Sequence, residues 1–463
     1  MPFGGDTPQE LNIRLRRIYV LYTAGFALMI LLIALAEILG LPRNWIGYVF
    51  LLVTVSLYAG IGIVCRTSDQ VEYYVAGRRV PAIYNGMATA ADWMSVASFI
   101  GVAGTLYLTG YGGLAYIMGW TGGYVLVAML LAPYLRRFGQ YTIPDFMGAR
   151  YGGNLPRLAG VACAILCSFT YLVAQIYGVG IITTRMTGIS FELGIFVALG
   201  GMLVCSFLGG MRAVTWTQVG QYIILVIAYL VPVVWLSIKH TDMPIPQLSA
   251  GVVLQQVTEK EVYLQNDPAE IEVRRLWQER ADEMAQRVRD LPESWTLEKD
   301  KLRSRLAQLN AGDAPMVEIR SVERELAAFP PNVDEARIAW SQAKATFEAR
   351  AAPLTPHAEP FPSKDPEERR NMRINFLALV LCLMLGTAGM PHILMRSYTT
   401  SSVVEARKSV CWSLLFILLL YFMAPALALL VKYEVYTQVV GSNFLSLPNW
   451  SMPGARSTAT CST

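Results

Sequence analysis

Long apolar stretches separated by short polar loops dominate this chain. Stretches of about 20 apolar residues can cross a lipid bilayer as helices. Nine such stretches are present, at 19–41, 44–65, 82–109, 111–134, 158–182, 189–208, 214–238, 374–395 and 409–431. The first is longer than a signal-peptide core and lacks a small-residue cleavage pattern, so we expect it to be retained. The pattern predicts an all-α, polytopic membrane protein with about nine transmembrane helices.

The segment 239–372 has a different pattern. Its stretches 268–291, 296–310 and 333–351 are rich in Glu, Arg, Ala and Leu, with apolar residues at helical spacing and opposite charges three or four residues apart. We expect two or three solvated amphipathic helices, with a short antiparallel hairpin as one arrangement. A solvated spacer is the favoured role, and a sensory or partner-binding role stays open. The Pro-rich stretch 352–366 is typical of a stiff linker.

The distribution of charge separates these two parts. Charged residues make up 16% of the 463 residues, against about 25% in an ordinary soluble domain, and 239–372 holds 19 of the 38 Lys and Arg and 24 of the 34 Asp and Glu. The remainder is too poor in charge to face water, which disfavours a secreted disulfide scaffold, a nucleic-acid binder and a soluble enzyme. No nucleophile–base arrangement, metal motif or phosphate-binding loop occurs in the soluble part, so we do not expect an enzyme.

The basic residues of the short loops predict the orientation. With a cytoplasmic N-terminus, fourteen of them fall inside and four fall outside, and the positive-inside rule discounts the long segment 239–372. The inside set is Arg14, Arg16, Arg17, Arg66, Arg78, Arg79, Arg136, Arg137, Arg150, Arg157, Arg212, Arg396, Arg407 and Lys408. We therefore expect the N-terminus inside, and both 239–372 and the C-terminal tail outside.

Two predicted spans contain a candidate site. Asp92 lies in the third span, within a run of small and hydroxyl residues that includes Ser95 and Ser98. A charge inside a span is costly, and such a run is typical of a broken helix whose freed carbonyls face a cavity. Close helix packing, with Asp92 near the interface, is the alternative.

The eighth span has a similar interruption. Gly386 and Gly389 flank Thr387, and Pro391 removes a backbone donor. Interrupted spans at corresponding places in two halves point to a transporter's binding site, whereas a proline kink without a binding role is the alternative. His392 follows the interruption, and a structural histidine bonded to a carbonyl is favoured there over a proton relay.

Four segments, taken together, carry a resemblance to a known family. They are Tyr74–Arg79 (YVAGRR), Leu135–Gly152 (LRRFGQYTIPDFMGARYG), Gly209–Gln221 (GGMRAVTWTQVGQ) and Gly386–Arg396 (GTAGMPHILMR). The chain resembles the sodium–solute symporter family from about residue 66 to about residue 432. The branch it is most similar to comprises acetate and other monocarboxylate permeases, which read Trp-Thr-Gln or Trp-Val-Gln where sugar and proline carriers usually read Trp-Thr-Asp.

The resemblance implies the leucine-transporter fold, with two inverted repeats of five helices after extra N-terminal helices. It implies sodium bound by the backbone carbonyls of Ala91 and Met94. The implied substrate contacts are Ser95, Ser98 and the second break, with Gly386, Thr387 and Gly389; we assign Asp92 to the same set because a charge inside a span marks a candidate site. Thr217 and Gln218 stand where relatives place a Thr-Asp pair near the sodium path. The neutral Gln218 suits an anionic substrate and weakens a direct sodium role at that position.

The expected organisation follows from the same comparison. Residues 1–80 hold the cytoplasmic N-terminus and two extra helices, 81–238 the first repeat, 239–372 the outside insertion, 373–432 the first two helices of the second repeat, and 433–463 a polar tail. The second repeat is expected to be incomplete, because 441–463 has no apolar run long enough to span and resembles a truncated end.

The expected function is sodium-coupled symport of a small organic solute by alternating access, in a bacterial inner membrane. The solute is expected to be a monocarboxylate such as acetate, and the expected partners are this small organic anion, sodium and the lipid bilayer, without nucleic acid. Two alternatives stay open. One is a membrane sensor built on a transporter-like part, and the other is a transport-incompetent fragment.

Overall fold

The computed structural model describes residues 8–312, 315–363, 365–442 and 448, and every regular element in these ranges is a helix. The helices are α1 Pro8–Ile38, α2 Arg43–Val64, α3 Gln70–Val75, α4 Ala82–Trp93, α5 Val102–Thr109, α6 Leu114–Leu126, α7 Ala132–Phe138, α8 Ile143–Tyr151, α9 Asn154–Thr187, α10 Phe191–Thr241, α11 Pro246–Gln265, α12 Pro268–Arg289, α13 Glu293–Ala311, α14 Met316–Ala327, α15 Val333–Ala351, α16 Pro366–Ala388, α17 Pro391–Met395 and α18 Val403–Gln438. The all-α prediction is confirmed. The predicted polar tail begins inside α18, and beyond residue 442 it lies, except for residue 448, outside the described residues.

Seven helices in the described ranges are long and apolar enough to cross a membrane. They are Glu10–Ile38, Trp45–Val64, Ala97–Phe138, Asn154–Thr187, Phe191–Thr241, Pro366–Ala388 and Val403–Gln438. Two of them each contain parts of two predicted spans, separated by Gly110 (φ 55°) in the first and Gly210 (φ 52°) in the second. The prediction of a polytopic membrane protein is confirmed, and these two glycine breaks account for the difference between nine segments and seven helices.

Gly210 divides the 51-residue α10 at the place where the hydropathy pattern predicts a loop. Its φ of 52° and ψ of −143° are non-helical. A Cβ at this position would lie 2.5 Å from the carbonyl oxygen of Tyr73, so any other side chain would also collide with the backbone of α3. Glycine here sets where the predicted fourth and fifth helices of the first repeat meet.

The membrane helices belong to one compact unit, formed by residues 1–255 and 357–463. In it α4 and α5 pack on α18, and α16 packs on α6. The first helix of each predicted repeat thus packs on the second helix of the other, and this exchange is what two repeats related by a two-fold axis would give. The core of the unit includes Trp93, Tyr124, Ile417, Leu420 and Tyr421, all buried.

Close approach of α6 to α16 depends on small residues. A Cβ at Gly123 would lie 2.6 Å from both the Met384 carbonyl oxygen and the Thr387 Cβ, and one at Gly119 would lie 2.6 Å from the Leu383 Cβ. Such backbone proximity is characteristic of helix packing in lipid. It fixes the position of Thr387 next to the break that ends α16.

The second compact unit is residues 256–356. Trp277 of α12 lies against Phe347 of α15 with ring centroids 5.6 Å apart, and Phe329, just before α15, lies between Trp295 of α13 and Trp340 of α15. Helices α12 and α15 therefore pack on each other, and aromatic rings join α13 to the same core. The described part of 239–372 contains five helices, α11 to α15, so the expectation of two or three was too low: the three expected stretches are helical, but α11 and the short α14, which follows Pro315, were missed.

Candidate functional site

The third predicted span is broken in the middle. Helix α4 ends at Trp93, and Met94 has non-helical dihedrals (φ −76°, ψ 55°) before the chain turns helical again. The Ser95 amide donates to the Trp93 carbonyl at 2.8 Å, and the Ser98 hydroxyl donates to the same carbonyl. The Ser98 side chain thus bonds to a carbonyl that a regular helix would pair with a backbone amide, which explains why the helix is interrupted within this run of small and hydroxyl residues. The predicted interruption is confirmed.

The second break lies between α16 and α17. The Gly389 amide donates to the Gly386 carbonyl at 3.1 Å, which closes α16, and Met390 is extended (φ −66°, ψ 116°). A residue before proline avoids the helical region, and a proline is well suited to the first position of a new helix, so Pro391 explains both features. This predicted interruption is also confirmed.

The two breaks meet at one cavity of about 220 Å³. Four of the predicted substrate-binding residues line it, namely Asp92, Ser95, Ser98 and Thr387. Aromatic rings supply much of the remaining wall, from Trp93, Trp120, Tyr171 and Tyr421. The Trp93 indole nitrogen donates to the Tyr421 hydroxyl at 2.7 Å, so two of these walls are fixed to each other.

A buried polar network closes one side of the cavity at Asp92. The Arg396 Nε donates to Asp92 Oδ2 at 2.6 Å, with side chains that are only 4% and 10% exposed, respectively. Arg396 also donates to Thr215 Oγ1 at 2.8 Å and to Gln218 Oε1. The Gln218 amide donates to the second oxygen of Asp92. The carboxylate is therefore neutralised by a cation and held by an amide.

The remaining predicted residues have separate surroundings. Ala91 and Met94 lie at the end of α4, and Gly386 and Gly389 lie at the end of α16, without lining the cavity. Gln218 belongs to the Arg396 network. Thr217 is buried next to Cys205, with 3.5 Å between their side-chain oxygen and sulfur, so it does not share the surroundings of Gln218.

Arg396 is the main residue that the sequence pattern did not assign to the site. It was counted among the loop residues that set the orientation, because it follows a predicted span. The sequence feature that could have assigned Arg396 to the site is its position directly after the segment interrupted by Pro391. The aromatic walls Trp120, Tyr171 and Tyr421 carried no signal, because aromatic residues within apolar spans are common.

A larger cavity of about 600 Å³ adjoins the first, and His392 lines both. The His392 ring lies against Tyr171 with centroids 4.9 Å apart, and the Tyr171 hydroxyl lies 3.4 Å from the Asp92 carbonyl oxygen. Asp145 and Arg157 form a 2.7 Å ion pair at the wall of the larger cavity. The Tyr171–His392 pair therefore stands between the small cavity and a wider vestibule.

The described residues contain no cluster of three or more His, Cys, Asp or Glu side chains able to hold a metal ion. The oxygen atoms near the breaks include backbone carbonyls, hydroxyls, the Gln175 side-chain oxygen and the paired Asp92 carboxylate. This donor set suits a hard monovalent cation or a polar solute better than a transition metal.

The sequence model of the sodium:solute symporter family matches residues 73–241 and 345–445, which is more than half of the chain and includes both helix breaks. The chain belongs to the sodium:solute symporter family. This confirms the family resemblance that the four motifs predicted. The two matched stretches flank most of the second compact unit, so the insertion is an addition to the family's common core.

Two individual proteins are similar to this symporter-family chain. An uncharacterized symporter of Cupriavidus necator is 52% identical over 443 residues, which cover 94% of this chain and 65% of the relative. The chain thus spans slightly less than two thirds of the length of that relative. The solved structure of a Na⁺-coupled sialic acid symporter, in a substrate-bound outward-open state, is 14% identical and covers 88% of this chain and 82% of that one, with a TM-score of 0.34.

Proposed function

We propose that this protein carries out sodium-coupled symport of a small organic solute by alternating access. The observation that carries the proposal is that two independently broken helices meet at one small cavity within a membrane-embedded unit. Broken helices expose backbone carbonyls and amides where ions and solutes can bind, and they occur in membranes only where they face protein or a cavity. Family membership supports sodium as the coupling ion.

For the sodium ion we propose a position at the first break, next to Ala91 and Met94. The Ser95 amide donates to Trp93, so the regular helical ladder from Ala91 is interrupted there. Freed carbonyl oxygens are suitable ligands for a hard cation such as sodium. Thr217 and Gln218 would act indirectly. Gln218 would position Asp92 through the hydrogen bond that its amide donates to the carboxylate.

For the solute we propose a monocarboxylate such as acetate. The cavity is small, at about 220 Å³, and offers the hydroxyls of Ser95 and Thr387 together with apolar ring surfaces. The one carboxylate in its wall, Asp92, is paired with Arg396, so it presents no uncompensated negative charge to an anion. Gly386 and Gly389 would contribute through the backbone of the second break.

The vestibule indicates the side to which this structure opens. If the N-terminus is cytoplasmic, Tyr141 and Asp145, which lie between the fourth and fifth predicted spans, place the vestibule on the inside, with Tyr171 and His392 between it and the solute. Binding of sodium and solute must then shift the balance between states open to either side. We propose the bacterial inner membrane as the location, with 239–372 outside.

The test is uptake of labelled acetate by proteoliposomes that contain this chain, with an inward sodium gradient or an equal potassium gradient. We expect sodium-dependent uptake that propionate inhibits and glucose does not. Uptake that ignores sodium would refute the coupling, and equal inhibition by glucose would refute the monocarboxylate assignment. No uptake at all would support the transport-incompetent alternative.

Two variants test the site itself. Ser95→Ala and Thr387→Ala each remove a hydroxyl from the cavity wall, and a hydrogen bond to a charged group contributes about 1.5–3 kcal/mol. We expect KM for acetate to rise about tenfold or more. The matched control is Thr170→Ala, because that exposed hydroxyl donates only to its own helix, at 2.9 Å from the Leu166 carbonyl oxygen. An unchanged KM in both site variants would contradict the assignment.

A further inference from the structure

A third cavity lies away from the transport site, between α1, α2 and the second half of α10. Its volume is about 550 Å³. Apart from Arg14 and Ser56 its walls are apolar or aromatic, and include Ile18, Tyr22, Leu57 and Ile61, while Trp216 and Gly220 close it from α10. The transport proposal makes no use of it. We call it the N-terminal groove.

The depth of the groove in the membrane follows from its ends. Arg14 lines one end, together with Cys65 and Val64 at the end of α2, and Tyr22 lies eight residues further along α1. At 1.5 Å per residue this is about 12 Å, close to the thickness of one leaflet of a hydrocarbon core about 30 Å thick. The groove therefore has the length of an acyl chain held within a single leaflet.

The Arg14 end of the groove is strongly basic. Arg14, Arg16 and Arg17 lie within one turn of α1, and Glu10 is the only acidic residue within four positions before Arg14. These residues are where the positive-inside rule places the cytoplasmic headgroup region. Basic pockets between membrane helices on this side attract anionic headgroups. An apolar slot with Arg14 at its end, and with Arg16 and Arg17 on the same helical turn, is complementary to a lipid with a negative head.

The groove is open along its apolar length. A Cβ at Gly60 would meet no atom within 4 Å, although Gly60 lines the groove. Helix α1 touches its neighbours at few points. One of them is the Tyr19 hydroxyl, which donates to the Trp216 carbonyl at 3.0 Å. An occupant of the groove would thus fill space between α1 and the helices of the core.

We propose that the N-terminal groove binds one anionic glycerophospholipid of the inner leaflet, with an acyl chain along Gly60 and the headgroup at Arg14, Arg16 and Arg17. The lipid joins α1 to α2 and α10 by filling the space between them. The proposal is independent of the transported solute, and it places a lipid between the two N-terminal helices, which precede the family match, and α10, which lies within it.

Native mass spectrometry of the purified full chain tests the proposal. Phosphatidylglycerol and phosphatidylethanolamine with identical acyl chains are the probes. We expect one phosphatidylglycerol to be retained at least fivefold more than phosphatidylethanolamine. Gly60→Leu, which fills the slot without changing charge, should abolish that retention, whereas Gly200→Leu should preserve it, because a Cβ at Gly200 also meets no atom within 4 Å but lies outside the groove. Equal retention of the two lipids, or retention by Gly60→Leu at the wild-type level, would overturn the proposal.

The headgroup contribution has its own variants. A triple change of Arg14, Arg16 and Arg17 to Gln should reduce the retained phosphatidylglycerol to the phosphatidylethanolamine level, whereas changing Arg407 and Lys408 to Gln should not, because both are exposed at the start of α18. If the control double variant lost retention to the same extent, the binding would reflect general positive charge and the site would be wrong.

A second measurement protects the test against misfolded variants. Trp216 lines the groove, so phosphatidylglycerol with brominated acyl chains should quench more fluorescence in the wild type than in Trp216→Phe. Equal quenching in the two proteins would overturn the proposal. A second copy of the chain in the groove would instead give dimers without retained lipid, which would also overturn it.

Discussion

Breaking the Asp92–Arg396 pair should be among the most destabilising single changes in the protein. The two side chains are 10% and 4% exposed, so neither charge can recover its hydration from water. Removal of one member of a buried pair costs about 3–5 kcal/mol, because the other member stays buried and uncompensated. In the structure, the Asp92 carboxylate accepts side-chain hydrogen bonds from Arg396 and Gln218. Of these two, Arg396→Gln would leave the Gln218 amide.

The double variant Asp92→Asn with Arg396→Gln separates the cost of an uncompensated buried charge from the contribution of the ion pair to stability. Both charges are then absent, and the amides can still bond to each other, to Thr215 and to Gln218. We expect its stability to lie closer to the wild type than that of Arg396→Gln, since neither buried charge is then left uncompensated. The double variant should therefore be more stable than Arg396→Gln alone.

The assay is the free energy of unfolding of the purified chain in detergent micelles, from denaturant titration followed by helical circular dichroism. The matched control is Arg275→Gln, which removes an arginine from an exposed pair with Glu272, where both side chains are 54% exposed. That change should leave stability unaltered, because exposed pairs contribute little. If Arg396→Gln were no more destabilising than the control, or the double variant were no more stable than the single one, the reasoning would fail.

Two further changes test the fold. Gly210→Ala should lower the melting temperature in detergent, since a positive φ costs a residue with a side chain about 1–3 kcal/mol. In addition, its Cβ would lie 2.5 Å from the Tyr73 carbonyl oxygen. The control is Gly200→Ala, and a melting temperature of Gly210→Ala equal to that of the control would contradict the kink at Gly210. Trp340→Ala should destabilise the unit 256–356 by about 3–5 kcal/mol, because the ring is 7% exposed, whereas Ile338→Ala, on a side chain 60% exposed, should not. Faster proteolytic cleavage within 256–356 in Trp340→Ala alone is the expected readout.

The local features of this protein were predictable because they depend on neighbours in sequence. Hydropathy located the membrane helices, since an apolar run of about 20 residues is long enough to span the hydrocarbon core of a lipid bilayer as a helix. Ser95, Ser98 and Pro391 predicted the helix breaks, because hydroxyls compete for backbone hydrogen bonds and proline lacks a donor. The same local rules predicted three helices of the insertion, although they missed α11 and the short α14.

The composition of the site could not be predicted in the same way. Arg396 meets Asp92 across 304 residues of sequence, and the hydropathy pattern assigned it to a loop. Trp120 and Tyr421 form a cavity wall only because α6 and α18 pack around the two breaks, which depends on close contacts such as the one at Gly123.

By itself, the sequence determined where the chain crosses the membrane and where two of its helices break, because each of these is settled within a few residues by the solvation of backbone and side chains. Only the tertiary structure decided that both breaks open into one cavity and that Arg396 neutralises Asp92, the carboxylate in the cavity wall. It also decided that the apolar N-terminal groove, with Arg14 at one end, lies between α1 and the core. These features arise from packing between distant segments, where a charge becomes costly or useful according to what another helix places beside it.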